Sequence, residues 1–162
     1  MNQLKTLLET FLTDFDNLVK SLISNVGNVT VKSLTFKERM LKDLAASNLQ
    51  GIPAAFILTV ALLETGDGIE SHLSQTNNPF NIHALGNEPY TLVGQEHIRN
   101  FSSFKQAIDE FVSLMNQPRY SNALAAAQAE NPQGFFQGLQ AGGYAANPNY
   151  ANSLMQVFNG LS

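Results

Sequence analysis

The stretch Pro53 to Gly68, PAAFILTVALLETGDG, sets the reading of the whole chain. Proline suits the first turn of a helix, where its missing N–H costs nothing, and Ala54 through Leu63 then carries no charge and one hydroxyl, Thr59. A helix apolar on every side is a buried one, so this segment is expected at the centre of the fold. It stops at one carboxylate, Glu64, and a turn bracketed by Gly66 and Gly68. In the last turn of a buried helix, apolar neighbours and the negative end of the helix dipole both disfavour ionisation, which raises a carboxyl's pKa. A carboxylic acid still protonated near neutral pH is equipped to act as a general acid. The plainer alternative, a solvated last-turn residue ahead of a glycine stop, stays open on this stretch alone.

The rest of the chain supplies enough apolar residue to bury such a helix. With 162 residues, 44% of them hydrophobic and 14% charged, the sequence reads as one globular domain with an N-terminal extension. Its surface is left rich in Asn, Gln, Ser and Thr, which suits neutral ligands such as sugars. The formal charge of −4 is spread without a Lys/Arg cluster, so the electrostatic footprint of a nucleic-acid binder is missing. Cysteine is absent, which excludes a disulfide framework and a thiolate site. His72, His83 and His97 form neither an HExxH motif nor a pair four residues apart, so no metal and no organic cofactor is expected.

Working toward the N-terminus, Leu4, Leu7, Leu8, Phe11, Leu12, Phe15, Leu18, Val19, Leu22 and Ile23 recur at the spacing of an amphipathic helix. Glu9, Asp14 and Asp16 interrupt that run, so it lacks the continuous apolar core of a secretory signal, and no segment reaches the length of a membrane span. Residues 1–34 are therefore read as a helix and linker, and residues 35–162 as the main domain. Thr35 and Glu38 form a capping box, T-x-x-E, that opens a helix through Leu44. Beyond Gly68 a loop-rich stretch leads to Tyr90–Val93 and His97–Phe101, which are expected to pair as a small hairpin around Gly94 and Gln95. Further helices are expected from Ser103 to Pro118, over Ser121 to Ala129, from Pro132 through Leu139, and from Pro148 through Val157.

Four stretches, in one order, resemble the glucosaminidase domain of bacterial cell-wall hydrolases, glycoside hydrolase family 73. GIPAAFILTVALLETGDG is similar to the family's proline-started helix ending in A-x-x-E-S/T-G-x-G, which places the catalytic glutamate at Glu64. NNPFNI, Asn77 to Ile82, resembles its N-N-x-F-x-I loop. IRNFSSF, Ile98 to Phe104, is similar to F-R-x-Y-x-S, with Ile98 and Phe101 in place of the two aromatics. AGGYAANPNYANSL, Ala141 to Leu154, resembles A-G-Y-A-x-D-P-x-Y-A, with Tyr144 and Tyr150 at its tyrosines. The likeness spans roughly Lys37 to Phe158, which leaves the first helix outside it.

That resemblance implies a mainly α, lysozyme-like helical domain with a small β-hairpin lobe, here carrying an extra N-terminal amphipathic helix. It implies a peptidoglycan hydrolase cleaving the β-1,4 bond on the reducing side of N-acetylglucosamine, with Glu64 as general acid. A muramidase or lytic transglycosylase on the same scaffold, and a non-catalytic glycan-binding module, are the competing readings. Glycoside hydrolysis needs a second group, negatively charged or able to activate water, facing the acid. The hairpin offers Glu88 before its first strand and Glu96 beside its turn, with Glu88 preferred because family members often carry an acid on the incoming strand. Asp67, standing where the family has an aromatic, is a third. Tyr144, Tyr150, Asn78, Phe80 and Asp67 are the expected substrate-binding residues, although Asn78 reads equally as a loop brace and the aromatics as core. The expected partner is the peptidoglycan glycan strand in the cell envelope, reached by phage-type release or specialised secretion. The apolar face of the Leu4 to Ile23 helix is expected to be buried against the main domain, or else against a second copy or a carrier protein, which makes it a candidate docking element for a carrier or immunity protein.

Overall fold

Helix α1 (Phe36–Ala45) begins where the sequence places its cap: the Thr35 hydroxyl accepts from the Glu38 N–H, and the Glu38 side chain accepts from the Thr35 N–H at 2.7 Å. The structure is a computed structural model and describes residues 34–161. The expected helix from Leu4 to Ile23 lies outside the described residues. After α1 come α2 (Ala54–Thr65), the one-turn α3 (Leu73–Thr76), the strands β1 (Tyr90–Val93) and β2 (Glu96–Arg99), then α4 (Phe104–Met115). A 3-10 turn at Pro118–Tyr120 leads into α5 (Ser121–Gln128), α6 (Pro132–Ala141) and α7 (Tyr150–Asn159). Among the described residues no helix is long and apolar enough to cross a membrane.

Helix α2 is the buried element its sequence demands. Phe56 through Leu62 are all buried, and Ile57, Val60 and Ala61 have no exposed surface. Withdrawing each large apolar side chain of this kind from water contributes roughly 1.5 to 3 kcal/mol, so α2 is a substantial contributor to the packing energy. The hydroxyl of Thr59 is satisfied within the helix by donating to the Ala55 carbonyl at 2.7 Å. Helices α1 and α7 pack directly on α2, while α6 packs on both α5 and α7. Phe56 joins Phe135, Phe136 and Phe158 in one aromatic cluster, with ring centroids 5.5 to 5.9 Å from Phe56.

The end of α2 is fixed by its own turn. Gly66 takes the left-handed conformation, and its N–H and that of Asp67 both return to the Leu62 carbonyl. Gly68 is required twice over: its φ is +84°, and a Cβ there would fall 2.5 Å from Phe36. Thr65, fully buried, donates to the Ala61 carbonyl and accepts from the Gly68 N–H, which closes the turn from below.

The hairpin forms as an antiparallel pair in the register Tyr90↔Arg99 to Val93↔Glu96. Its second strand starts one residue earlier than expected, at Glu96, and ends at Arg99 because the Phe101 N–H leaves the ladder to bond the Thr76 carbonyl at 2.7 Å. The loop from Asn77 to Ala84 runs along the free edge of β2: Arg99 N–H donates to Ile82, Ala84 N–H to His97, and His83 bridges Ile98. Helix α3, inside what the sequence presents as loop, is too short for a hydrophobic period to reveal. The last helix opens at Tyr150 with Asn149 as its cap, two residues beyond the expected Pro148.

Candidate active site

Glu64, in the last turn of α2, has both carboxylate oxygens engaged. Tyr150, the first residue of α7, donates its hydroxyl to Oε1 at 2.6 Å, and Asn81 Nδ2 donates to Oε2 at 3.2 Å. The same amide also donates to the Glu64 backbone carbonyl at 3.1 Å, which ties the side chain to the end of its own helix. Burial raises the Glu64 pKa above its ordinary 4.5; the bonds from Tyr150 and Asn81 pull it down, and the negative charge of Glu96 pushes it up again. Desolvation is the largest of these effects, so the carboxyl holds its proton to higher pH than a surface glutamate would.

The phenol that faces it is shifted toward its neutral form. Burial, then the charge of Glu64, push the Tyr150 hydroxyl far above its ordinary pKa, which favours the neutral phenol as an O–H donor to Glu64. Tyr144 stacks on Tyr150 with centroids 6.0 Å apart and donates its hydroxyl to the Phe80 carbonyl at 2.8 Å. Burial first, and then the Glu64 charge, hold it neutral as well. Phe111 sits edge-on to Tyr144 and stacks on Phe80 at 4.6 Å, so an aromatic ladder from the core supports the site.

The sequence-derived residues divide on this map. Tyr150 and Tyr144 reach Glu64 and the NNPFNI loop. Phe80 does not line a binding wall as expected: it is 1% exposed and its ring face is taken by Phe111. Asn78, with no exposed surface, also departs from the expected substrate-binding role. Its Nδ2 donates to the Ile82 and Arg99 carbonyls, and its Oδ1 accepts from the N–H groups of Phe80 and Ile82, so its bonding capacity is spent bracing the loop against β2. Asp67 is exposed on the turn after Glu64, with φ +63°.

The hairpin carboxylates differ from each other. Glu88 Oε1 pairs with Arg99 Nη2 at 3.1 Å, and its Oε2 accepts from the Leu85 N–H at 2.9 Å. Arg99 in turn holds Glu110 at 3.2 Å, so Glu88 belongs to an ion triad joining the hairpin base to α4. Glu96, 62% exposed, pairs with His83 at 3.6 Å, and its charge bears on Glu64. Sequence reasoning passed over Asn81 and His72. Asn81 holds the second of two unspecified positions in the loop motif, and nothing in the local pattern marks either residue.

Residues 44–162 match the family described as mannosyl-glycoprotein endo-beta-N-acetylglucosaminidase, the glucosaminidase domain. The peptidoglycan hydrolase FlgJ of Vibrio cholerae is 29% identical over 130 residues, which cover 69% of this chain and 38% of that protein. The chain therefore spans less than half the length of that relative. A peptidoglycan hydrolase mutant from Sphingomonas sp. A1 superimposes with a TM-score of 0.64 at 29% identity, covering 76% of this chain and 91% of that one. The glycoside hydrolase domain of Salmonella typhimurium FlgJ gives a TM-score of 0.60 at 29% identity, over 78% of this chain and 86% of that one. A buried helix ending in a desolvated glutamate, a hairpin lobe beside it and a family match over most of the chain agree: this protein is a member of the glucosaminidase family of glycoside hydrolases, with a lysozyme-like fold.

Proposed function

We propose that the chain hydrolyses peptidoglycan in the cell envelope, cleaving the β-1,4 bond between N-acetylglucosamine and N-acetylmuramic acid, with Glu64 as the general acid. The observation that carries this reading is the Glu64 carboxyl itself, desolvated, raised in pKa and held at its two oxygens by Tyr150 and Asn81. The names of the Vibrio and Sphingomonas proteins, both peptidoglycan hydrolases, support the choice of polymer. In the reaction Glu64 gives its proton to the leaving glycosidic oxygen as the sugar ring flattens toward an oxocarbenium ion. The second carboxylate in this reading is Glu96 rather than Glu88. Glu88 is tied into the ion triad with Arg99 and Glu110, whereas Glu96 is solvent-facing, has no Arg or Lys partner among the described residues, and is close enough for its charge to be felt at Glu64. An ionised Glu96 would both keep Glu64 protonated and favour positive charge on the sugar or orient the attacking water.

The test is muropeptide release from purified peptidoglycan by the wild type and by Glu64→Gln, read by mass spectrometry. Reducing N-acetylglucosamine ends, and a loss of about a hundredfold or more in the variant, are expected. Reducing or anhydro N-acetylmuramic ends would instead make the enzyme a muramidase or transglycosylase, and a fully active Glu64→Gln would move the chemistry elsewhere. We assign the Leu4 to Ile23 segment to docking on a carrier or immunity protein, as its apolar stripe suits. Deleting residues 1–33 should then abolish co-purification with that protein while leaving hydrolysis intact.

A further inference from the structure

We propose that His72 is a positioning residue for Glu64, acting through the carboxamide of Asn81. His72 precedes α3 and is 8% exposed; its Nε2 lies 3.0 Å from Asn81 Oδ1. The hydrogen-bond directions follow from one group that has no choice. The backbone carbonyl of Glu64 can only accept, so the Asn81 atom 3.1 Å from it is the NH2, and the amide oxygen is turned to the imidazole. His72 Nε2 must therefore carry a hydrogen. Asn81 itself sits on left-handed backbone, φ +50°, which fixes the direction in which its short side chain leaves the loop.

The other imidazole nitrogen argues against a merely space-filling role. His72 Nδ1 is buried without a hydrogen-bond partner among the described residues, and the Glu70 carboxylate oxygen stands 3.9 Å away. A buried polar atom left unpaired costs stability that an apolar ring of similar size would not. What the imidazole supplies in return is a single donor, aimed at Asn81 Oδ1.

That donor decides what Asn81 can do to the acid. With Oδ1 held by His72, the amide offers Glu64 only N–H groups, to its carbonyl and to Oε2. Were the amide to rotate, its oxygen would face Oε2 and accept the hydrogen of the protonated carboxyl. The proton needed by the leaving oxygen would then be held by the loop. The Glu64 carbonyl, which would meet that oxygen as a second acceptor, opposes the rotation from one side, and the His72 donor opposes it from the other. His72 contributes no atom to the substrate, and its effect on turnover rests on the reading of Glu64 as the proton donor.

The experiment is a carbon-13 NMR titration of the Glu64 side-chain carboxyl in the full chain, beside the kinetics of the same variants. The other ionisable groups facing this network, Tyr150, Tyr144 and Glu96 around Glu64 and Glu70 beside His72, are untouched by the substitutions. His72→Phe removes the donor and keeps a ring. It should move the Glu64 midpoint to higher pH and lower kcat by about tenfold with KM nearly unchanged, the scale of a misaligned reacting group. His72→Gln, whose amide can still donate to Asn81, should recover most of both effects. Asn81→Ala should shift Glu64 in the same direction, and adding His72→Phe to it should change nothing further. An unmoved Glu64 midpoint in folded His72→Phe, or additive effects with Asn81→Ala, would overturn the proposal. If the phenylalanine variant does not fold, His72→Asn, too short to reach Asn81, is held to the same outcomes. The titration does not depend on catalysis, so a turnover-competent Glu64→Gln would sink the functional reading while leaving the His72 result to stand or fall alone.

Discussion

The two carboxylates proposed for the chemistry live in opposite environments. Glu64 lies in the last turn of a helix with almost no exposed side chain, and its oxygens are held by a phenol from α7 and an amide from the NNPFNI loop. Glu96 stands on a two-stranded hairpin, 62% exposed, with one histidine for company. Burial disfavours charge, so the fold raises the pKa of Glu64 and leaves its neighbour in water without changing the residue type. The contrast also separates where stability and reactivity are stored. The helix end is supported by the deepest part of the core, whereas the hairpin is held by a ladder of four residue pairs and the Arg99 ion triad.

The largest effect that would test this division is on stability. Phe80 joins the loop carrying Asn81 to the core through its stack on Phe111, so Phe80→Ala should cost about 3 to 5 kcal/mol in chemical denaturation. A variant that keeps its stability but loses substrate affinity would return Phe80 to the glycan. Next comes Glu96→Gln, expected to lower turnover by roughly ten- to a hundredfold if this carboxylate assists at the oxocarbenium centre. Because the Glu96 charge raises the Glu64 pKa, the alkaline limb of the pH profile should also move to lower pH. Glu88→Gln should leave that limb in place, because the carboxylate whose charge raises Glu64 is Glu96, while Glu88 is tied into the Arg99 triad. The reverse result, a large loss for Glu88 and none for Glu96, would exchange their roles. Tyr150→Phe is the weaker companion: about a tenfold loss of rate, with the alkaline limb displaced to higher pH because a bond that favours the carboxylate is gone. The two substitutions should move one titration in opposite directions.

The same division explains what could be read from the chain. The proline, the ten uncharged residues and the glycine-bracketed stop declare α2 locally, so the helix and its terminal acid were legible. The capping box of α1 was legible for the same reason: its partners are three residues apart. The choice between Glu88 and Glu96 was not, because it turns on Arg99 and Glu110, whose approach depends on the hairpin meeting α4. Phe80 and Asn78 looked like ligand contacts because aromatic and amide residues serve both loops and sugars; only their burial assigns them to the loop's interior support. Asn81 and His72 escaped because a hydrogen-bond relay between two loop residues nine apart has no period.

The smallest expected effect is thermodynamic, and it bears on Glu64 alone. Its folded-state pKa is raised above the ordinary 4.5, so as pH climbs the unfolded chain gives up this proton first. Between the ordinary and the folded value the native state binds more protons than the unfolded one, and stability therefore falls as pH rises through that window. Above the window the whole penalty of an ionised, desolvated carboxylate is present; below 4.5 none of it is. Glu64→Gln removes this titration while keeping an oxygen for Asn81 and an NH2 for the Tyr150 oxygen. Its melting temperature relative to wild type should rise with pH across the window and level off on either side. Glu96→Gln, on a solvent-facing side chain, should reduce the wild-type slope slightly, since one charge that burdens Glu64 has gone, without abolishing it. A Glu64→Gln difference that does not change with pH would mean that Glu64 titrates as an ordinary carboxylate, and the distinction between a dry acid and a wet one would have no thermodynamic basis.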